Sequence, residues 1–275
     1  MKQPIPLTPT EVRVLARCPL HYHFLRQQTL TKDPTTIALQ KESPQLNLYK
    51  RVRKAIQKLH SAGGPARLSL AACLNEVGNY RIAQKIVQNY YERLEQDWPQ
   101  MIAANEAMQL NISIAGVSLQ LRGTLDRLDK TSDGGILAIL FRTENGPTPS
   151  AADLRRDHAM TIYHALVAAG YPLKRPVRIQ ELWLQLDEAI TIELSEDEYR
   201  RNLSDLREPV QALARNEVMA RPGLHCDSCP FKYRGCPVYS QDSDSNDPPE
   251  VEANDDFESP PPDGRISSRK WVFKI

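Results

Sequence analysis

The densest group of reactive side chains in this sequence is a set of three cysteines near its end. Cys226, Cys229 and Cys236 occur in "HCDSCPFKYRGCPVY" with the spacing C-x2-C-x6-C. The two-residue gap lets two sulfur atoms approach one centre, as in structural zinc sites and iron–sulfur clusters. Five cysteines is an odd number, and clustered thiols in a reducing compartment are more often metal ligands than disulfides.

A tetrahedral centre needs a fourth ligand, and Cys18 is the best candidate. Cys18 stands in "ARCPLHYHF", where the Cys-Pro pair recurs as it does in "SCPF" and "GCPV". His225 directly precedes Cys226, which is an awkward geometry for binding the same ion, and Cys73 in "SLAACLNEV" reads as a small buried hydrophobe. A centre shared by Cys18 and the three later cysteines would close a loop of about 200 residues.

The elements that must position these residues follow from hydrophobic periodicity. "MQLNISIAGVSLQLRGTLDRLD" alternates polar and apolar residues about Ala115-Gly116, which predicts a β-hairpin, and "GGILAILF" predicts a strand covered on both faces. "RIQELWLQL" and "AITIEL" predict a further strand pair. Helices are predicted from Thr8 or Thr10 onward and at 46–61, 79–97, 151–169 and about 195–217. Together they predict an α/β fold with a mixed central sheet flanked by helices.

The composition changes at residue 240, which divides the chain into a predicted folded domain, 1–239, and a tail, 240–275. Residues 242–263 carry nine carboxylates and no basic side chain, so we expect disorder there. The tail ends in "RKWVFKI", a short basic and aromatic segment that could dock on a partner, fold back or fray. Up to Tyr239 the chain has 31 basic and 25 acidic residues, a balance of +6 that hints at a polyanionic partner.

The predicted helix at 46–61 is the most basic element of the folded part. Its cations could contact phosphates, or they could form a solvated face, and the sequence leaves both open. They are Lys50, Arg51, Arg53, Lys54 and Lys58.

We expect a cytoplasmic protein without a membrane segment. The sequence has no run of eighteen apolar residues, and "MKQPIPLTPTEV" lacks the basic-then-apolar layout of a signal peptide.

Three motifs, taken in order, resemble one known family. They are "CPLHYHF" near the start, "GTLDRLD" in the middle and C-x2-CPF-x4-C near the end, and over residues 7–239 they resemble the PD-(D/E)XK nuclease superfamily. The chain is most similar to its RecB and AddB type modules with a four-cysteine iron–sulfur cluster. The resemblance implies a restriction-endonuclease-like core, DNA as partner, a role in DNA repair or recombination, and a [4Fe–4S] cluster on Cys18, Cys226, Cys229 and Cys236, with structural zinc as the alternative.

The resemblance also implies a catalytic metal site, of which only part is present. Asp126 matches the family's metal-binding Asp, which would hold Mg²⁺ or Mn²⁺ beside the scissile phosphate. In the next strand, "AILFRTENG", the second metal carboxylate matches Leu140 and the lysine matches Arg142. Leucine cannot bind a metal, and arginine cannot act as a compact group that loses its proton near the attacking water.

Two further catalytic positions depart from the family, and a relocated ligand could restore the site. Tyr163 matches the family's Gln-x-x-x-Tyr pair, but Ala159 replaces the glutamine, and the slot for a metal-binding His holds Arg53 or Lys54, with His60 too late in the helix. Glu144, two residues beyond Arg142, could supply a metal ligand from the same strand face or could belong to the polar turn "TENGPTP". Other nearby carboxylates are Glu106 and Asp129.

Three functions follow from these observations. The first is a RecB-family DNA-binding protein whose metal centre is degenerate. The second is an active Mg²⁺- or Mn²⁺-dependent DNA nuclease that uses Asp126 with a relocated ligand. The third is a non-catalytic interaction subunit that engages a helicase or another repair partner through its tail, and no G-x-x-x-x-G-K-[ST] helicase motif is present in the chain itself.

Overall fold

The computed structural model describes residues 3–31, 44–233, 235–239 and 271–274. They belong to two compact units, one formed by Met1–Arg13 and Lys32–Arg207, the other by Val14–Thr31 and Glu208–Ile275. The sequence-based interpretation treated 1–239 as one domain, whereas backbone contacts divide that range between the two units.

The first unit contains a mixed sheet and the helices that cover it. Its strands are β1 Ile5–Leu7, β2 Met101–Ile114, β3 Val117–Lys130, β4 Ile136–Arg142, β5 Val177–Trp183 and β6 Glu188–Glu193. Its helices are the first half of α1 (Pro9–Arg17), α3 Pro44–Ala62, α4 Leu70–Val77, α5 Arg81–Gln96, α6 Ala151–Arg156, α7 His158–Gly170 and α8 Glu196–Asp205. The predicted mixed α/β fold is confirmed.

Strand β3 is the hub of the sheet because it pairs with three other strands. Strand β2 pairs with it antiparallel along nearly its whole length, so β1 and β4 must share its other edge. There β1 pairs with residues 119–121 in parallel and β4 with residues 127–130 antiparallel. Strands β5 and β6 continue the sheet beyond β4. Among the described strands, none pairs with this edge of β3 between residues 122 and 126, the stretch that contains Asp126.

Strand β4 lies at the centre of this unit and is buried on both faces, as its continuous apolar run predicts. Ile139 and Phe141 pack against a cluster from α3, α4 and α5, whereas Ala138 and Leu140 pack against α6 and α7 on the opposite face. The sheet is thus the middle layer of three, and its alternating side chains contribute to two separate cores.

The predicted hairpin is confirmed, with a two-residue turn between β2 and β3. Ala115 and Gly116 both have positive φ, 51° and 80°. Two successive positive φ angles match the right-handed twist of the flanking strands, and glycine at the second position adopts this conformation without strain.

Several helix predictions needed correction. The single helix predicted at 151–169 is two helices, because Asp157 ends α6 and caps α7 by accepting a hydrogen bond from the Ala159 N–H at 2.8 Å. The helix predicted at 195–217 also divides, into α8 and α9 (Arg207–Ala214). Strand β1 and helix α4 were not predicted, since three residues and eight residues are too short to establish a period.

The second unit is smaller and holds the cysteine-rich loop. It consists of the end of α1, α2 (Pro19–Thr31), α9, β7 (Glu217–Ala220), a 3₁₀ turn at Leu224–Cys226, and β8 (Trp271–Lys274). Its core contains Cys18, Leu20, Val218 and Ala220, with Phe24, Cys236 and Val238 packed against them.

The tail lies outside the described residues except for 271–274. Its predicted disorder at 240–264 therefore stays a prediction. Residues 271–274 of the basic and aromatic segment pair antiparallel with β7, from Trp271 opposite Ala220 to Lys274 opposite Glu217. Across the described residues, no helix combines the length and apolar character that crossing a membrane requires.

Candidate functional site

The unpaired stretch of β3 places Asp126 where β3 and β4 separate. The antiparallel ladder between these strands ends at Arg127 opposite Ile139. Just beyond that point a side chain replaces the backbone ladder, because Asp126 Oδ2 accepts a hydrogen bond from the Phe141 N–H at 2.8 Å. One of the two oxygens proposed to bind metal therefore holds the diverging strands together.

The other oxygen of Asp126 faces an arginine. The Arg53 Nε of α3 lies 2.9 Å from Asp126 Oδ1, and the same guanidinium donates through Nη2 to Asn105 Oδ1 at 2.9 Å. Asp126 is only 6% exposed. Burial raises the pKa of Asp126, while Arg53 and the Phe141 N–H favour its charged form and oppose that shift.

The two positions that depart from the family lie on the face of β4 shared with α7. Leu140 is buried in the apolar core there, and Arg142 turns to Glu181 of β5. Arg142 Nε donates to Glu181 Oε1 at 2.9 Å, and Nη2 donates to the same oxygen. Burial disfavours the charged form of Arg142, but Glu181 outweighs this effect and raises the arginine pKa.

Tyr163 of α7 and Tyr49 of α3 border the same region. Burial raises the pKa of Tyr163, and the charge of Asp126 raises it further. Burial and Asp126 raise the pKa of Tyr49 in the same way, and the Arg53 guanidinium lies 5.6 Å from the centre of the Tyr49 ring. Both phenols are protonated at neutral pH and can donate hydrogen bonds. Ala159, in the family's glutamine position, is buried in the core.

The carboxylates considered as relocated ligands belong to three different segments, which are the turn after β4, strand β3 and strand β2. Strand β4 ends at Arg142, so Glu144 is exposed in the following turn and the strand-face argument for it is wrong. Asp129 pairs with Arg127 at 2.9 Å. Glu106 lies on β2 opposite Leu125.

The cations of α3 have partners within the protein. Lys54 and Lys58 both pair with Glu76 of α4, at 2.9 and 2.7 Å, and lower the pKa of Glu76 to about 2. Arg51 donates to Asn47 Oδ1 at 2.6 Å. Lys50 is exposed at the surface. Whether these side chains contact phosphates stays a prediction, because the structure contains no nucleic acid.

The second unit brings the four predicted cysteine ligands to one small cavity. Cys18, Cys226, Cys229 and Cys236 all line it, as do His21 and His225. All five cysteines are free thiols, and Cys73 lies in the core of the first unit. Among the described side chains, no three His, Cys, Asp or Glu groups are arranged as a metal site.

The surroundings of this cavity offer hydrogen bonds to sulfur. The Val238 N–H donates to the Cys236 sulfur, and the Tyr239 hydroxyl hydrogen-bonds with the Cys226 sulfur. Burial raises the pKa of the Cys236 thiol, and its three neighbours in the cavity raise it further. Thiolates crowded in this way repel one another unless a cation binds between them, so the donor set fits an iron–sulfur cluster or a zinc ion.

Sequence reasoning missed Glu181 and the contact between Arg53 and Asp126. Glu181 stands opposite Leu140 in the parallel ladder of β4 and β5, although "RIQELWLQL" reads as an ordinary strand. Its burial, 3% exposed, marks it as unusual only once the fold is known. The slot predicted for the family's His holds Arg53 or Lys54, and this was the one available signal of the contact between Arg53 and Asp126.

Comparisons with known proteins place this architecture in a family. A family model described as the PD-(D/E)XK nuclease superfamily matches residues 6–237. No curated protein matches the chain. Among solved structures, the crystal structure of SSO0001 is similar over 87% of this chain and 89% of that chain, with 13% identity and a TM-score of 0.43, values too low to support an inference about function. The family model covers most of the sequence, so the chain belongs to the PD-(D/E)XK nuclease superfamily.

Proposed function

We propose that this chain is a nucleic-acid-binding member of the superfamily that has lost a working catalytic metal centre. The observation that carries the proposal is the environment of Asp126. One carboxylate oxygen accepts the Phe141 N–H and the other lies 2.9 Å from Arg53, so each oxygen already has a partner within the protein. A divalent ion would have to displace a guanidinium from a buried carboxylate.

The charge balance around Asp126 also disfavours a divalent cation. Asp126 and Glu181 supply two negative charges, and Arg53 and Arg142 supply two positive charges that already compensate them. Mg²⁺ is stabilised by oxygen ligands and destabilised by adjacent cations. Leu140 adds no ligand on the side where the family has its second carboxylate.

Nucleic-acid binding is supported by superfamily membership and by surface charge. The Lys54 and Lys58 side chains are 71% and 44% exposed, so their pairs with Glu76 are screened by water. Exposed ion pairs contribute little stability, and phosphates can replace the carboxylate at small cost. Binding of this kind weakens as salt increases.

We further propose that the protein is a RecB-type module of DNA repair or recombination, located in the cytoplasm, with a [4Fe–4S] cluster on Cys18, Cys226, Cys229 and Cys236. The shared cavity and the N–H and O–H donors to sulfur support the cluster. A single structural zinc ion on the same four cysteines is the alternative. When bound, the cluster would join α2 to the cysteine loop. A helicase or other repair partner would engage residues 240–275.

Incubation with labelled single- and double-stranded DNA in Mn²⁺ tests the central proposal. We expect DNA to be retained at low salt, released as salt rises, and left uncut. The matched variant is Asp126→Asn, which keeps an oxygen for the Phe141 N–H and removes the charge. Cleavage by the wild-type chain that disappears in this variant would overturn the proposal, and so would binding that is indifferent to salt.

One observation favours a second candidate function, a metal-dependent nuclease. Glu181 is a buried carboxylate beside Leu140 on the neighbouring strand, and it could replace the missing ligand if Arg142 moved away. In that case Mn²⁺-dependent cleavage would be lost in Glu181→Gln as well as in Asp126→Asn. Cleavage that Asp126→Asn abolishes and Glu181→Gln leaves intact would exclude Glu181 as the ligand.

A further inference from the structure

A cavity of about 610 Å³ opens beside Asp126 in the first unit, and we name it the arginine groove. It is defined by the side chains that give it its chemistry, which are Thr10, Tyr49, Arg53, Arg122, Thr124 and Tyr163. None of the described residues that line it carries a carboxylate. The charged residues among them are therefore both arginines, and Arg53 is paired with Asp126 while Arg122 is not.

The two arginines of the groove, Arg53 and Arg122, differ in their hydrogen-bond and ion-pair partners. Arg53 uses Nε for Asp126 and Nη2 for Asn105, and the residue also lines the cavity. Arg122 is exposed on β3 and donates to Gln120, and no carboxylate pairs with it in the described part of the chain. Each guanidinium carries five N–H donors in a planar fork, so both retain the capacity to bind a phosphate.

The local structure of β3 keeps the groove open. Between residues 122 and 126 this strand lacks a partner on one edge, and Gly123 lies in that stretch. A Cβ at Gly123 would stand 2.8 Å from Leu166 Cδ1 and 3.3 Å from Tyr163 Cε1, so glycine lets α7 approach the strand closely. The Tyr163 ring is thereby held against the strand at the side of the cavity.

The neutral donors around the two arginines suit a phosphodiester. Tyr49 and Tyr163 are protonated phenols because burial raises the pKa of each. Thr10 and Thr124 add hydroxyl groups, which bind phosphate oxygens in nucleic-acid complexes. Aromatic rings beside a cationic groove are also typical of sites that bind unpaired nucleotides.

We propose that the arginine groove binds a phosphodiester of single-stranded nucleic acid without a divalent ion. This inference rests on the proposed function and deepens it. In the related nucleases a metal ion stands between the carboxylates and the phosphate, whereas here the Arg53 guanidinium occupies the corresponding side of Asp126 and presents its remaining donors to the groove. Arg53 then both compensates the charge of Asp126 and binds the phosphate, and no water is activated for cleavage.

The size of the cavity favours single strands over duplexes. A volume of about 610 Å³ is that of a site for a small ligand, enough for one or two nucleotides, and a duplex is too wide to enter it. Because contacts to phosphate carry no sequence information, the site should accept many sequences.

Fluorescence anisotropy with a labelled oligo-dT strand in EDTA tests the inference, with Arg122→Gln as the groove variant. Arg122 is exposed, so this change should leave the fold intact, which far-UV circular dichroism checks. We expect the affinity to fall about fivefold and the slope of log K against log salt to decrease by about 0.7. Arg122→Lys should keep most of the affinity. The matched control is Arg200→Gln, since Arg200 is 74% exposed on α8, and it should change affinity less than twofold.

The outcomes separate this inference from the proposed function. Failure of the wild-type chain to bind any DNA would overturn both. DNA binding that is unchanged in Arg122→Gln would refute the groove and leave the proposed function standing. Binding that requires Mg²⁺ would refute the metal-independent site, and tighter binding of a blunt duplex than of oligo-dT would refute the preference for single strands.

Discussion

The ion pair between Arg53 and Asp126 should be strongly coupled if it replaces a metal ion. In Arg53→Ala, the Asp126 carboxylate, 6% exposed, loses the cation that lies 2.9 Å from it, while the Phe141 N–H remains. Breaking a buried pair by removing one partner typically costs about 3–5 kcal/mol. Because the Arg53 side chain is 23% exposed, water screens part of the interaction, so we expect about 3 kcal/mol of lost unfolding free energy at pH 7.

A double-mutant cycle measures the interaction free energy between the Arg53 and Asp126 side chains. Arg53→Ala, Asp126→Asn and the double variant would be unfolded in urea and followed by circular dichroism, and we expect a coupling energy of about 1.5–3 kcal/mol. The control cycle uses Arg178 and Asp133, whose side chains are 29% and 45% exposed and whose coupling should be clearly weaker because water screens it.

The pH dependence of Arg53→Ala gives an independent check with a defined sign. Burial already raises the pKa of Asp126, and loss of Arg53 raises it further. A carboxyl group with a raised folded pKa stabilises the fold below its unfolded pKa of about 3.8, and this contribution is lost as pH rises through the folded pKa. The stability deficit of Arg53→Ala should therefore grow between pH 4 and pH 7. A coupling energy below about 0.5 kcal/mol, or a deficit independent of pH, would mean that Arg53 does not neutralise Asp126, and the case against a metal ion would lose its basis.

Two further predictions concern the cysteine cavity and a buried histidine. In anaerobically purified protein, Cys18→Ser should remove bound iron and the absorption near 400 nm. The control Cys73→Ala, in the other unit, should keep both. Retention of iron in Cys18→Ser would show that Cys18 is not a ligand. Burial lowers the pKa of His60 to about 3, and its Nε2 lies 3.0 Å from the Tyr90 hydroxyl. Because the pKa of His60 is lower in the folded than in the unfolded state, the fold loses stability as pH falls from 6.5 towards 3, by up to about 1.4 kcal/mol per pH unit. In urea unfolding, His60→Gln should make stability depend less steeply on pH over this range. An equally steep dependence in the variant would assign it to other groups.

The local features of this fold could be predicted from sequence, and the long-range pairings could not. The β2–β3 hairpin and strand β4 follow from alternation, a turn pair and a continuous apolar run, all of which act within a few residues. The helix predicted at 151–169 failed because Asp157 caps a new helix within a stretch whose apolar period hardly changes. Periodicity identifies buried faces and misses a break of this kind.

In the candidate site, too, the sequence located the residues but not the contacts that they make. Asp126, Leu140 and Arg142 were located by motif, because motif positions are local in sequence. The contacts that decide what these residues do come from distant segments, Arg53 from α3 and Glu181 from β5. Nothing in "RIQELWLQL" distinguishes Glu181 from an exposed strand residue, since its burial is created by the neighbouring strands.

Arg53 and Arg142 have the same role, since each compensates the charge of one buried carboxylate, Asp126 or Glu181. Asp126 and Glu181 are 6% and 3% exposed, and a buried carboxylate without a cation is strongly destabilising. In a metal site one divalent ion would compensate both charges, and without it each carboxylate needs a cation of its own, which Arg53 and Arg142 provide. A single substitution such as Leu140→Asp would add a third carboxylate beside the two guanidiniums. Under the proposed function, metal binding should therefore require Arg53 and Leu140 to change together.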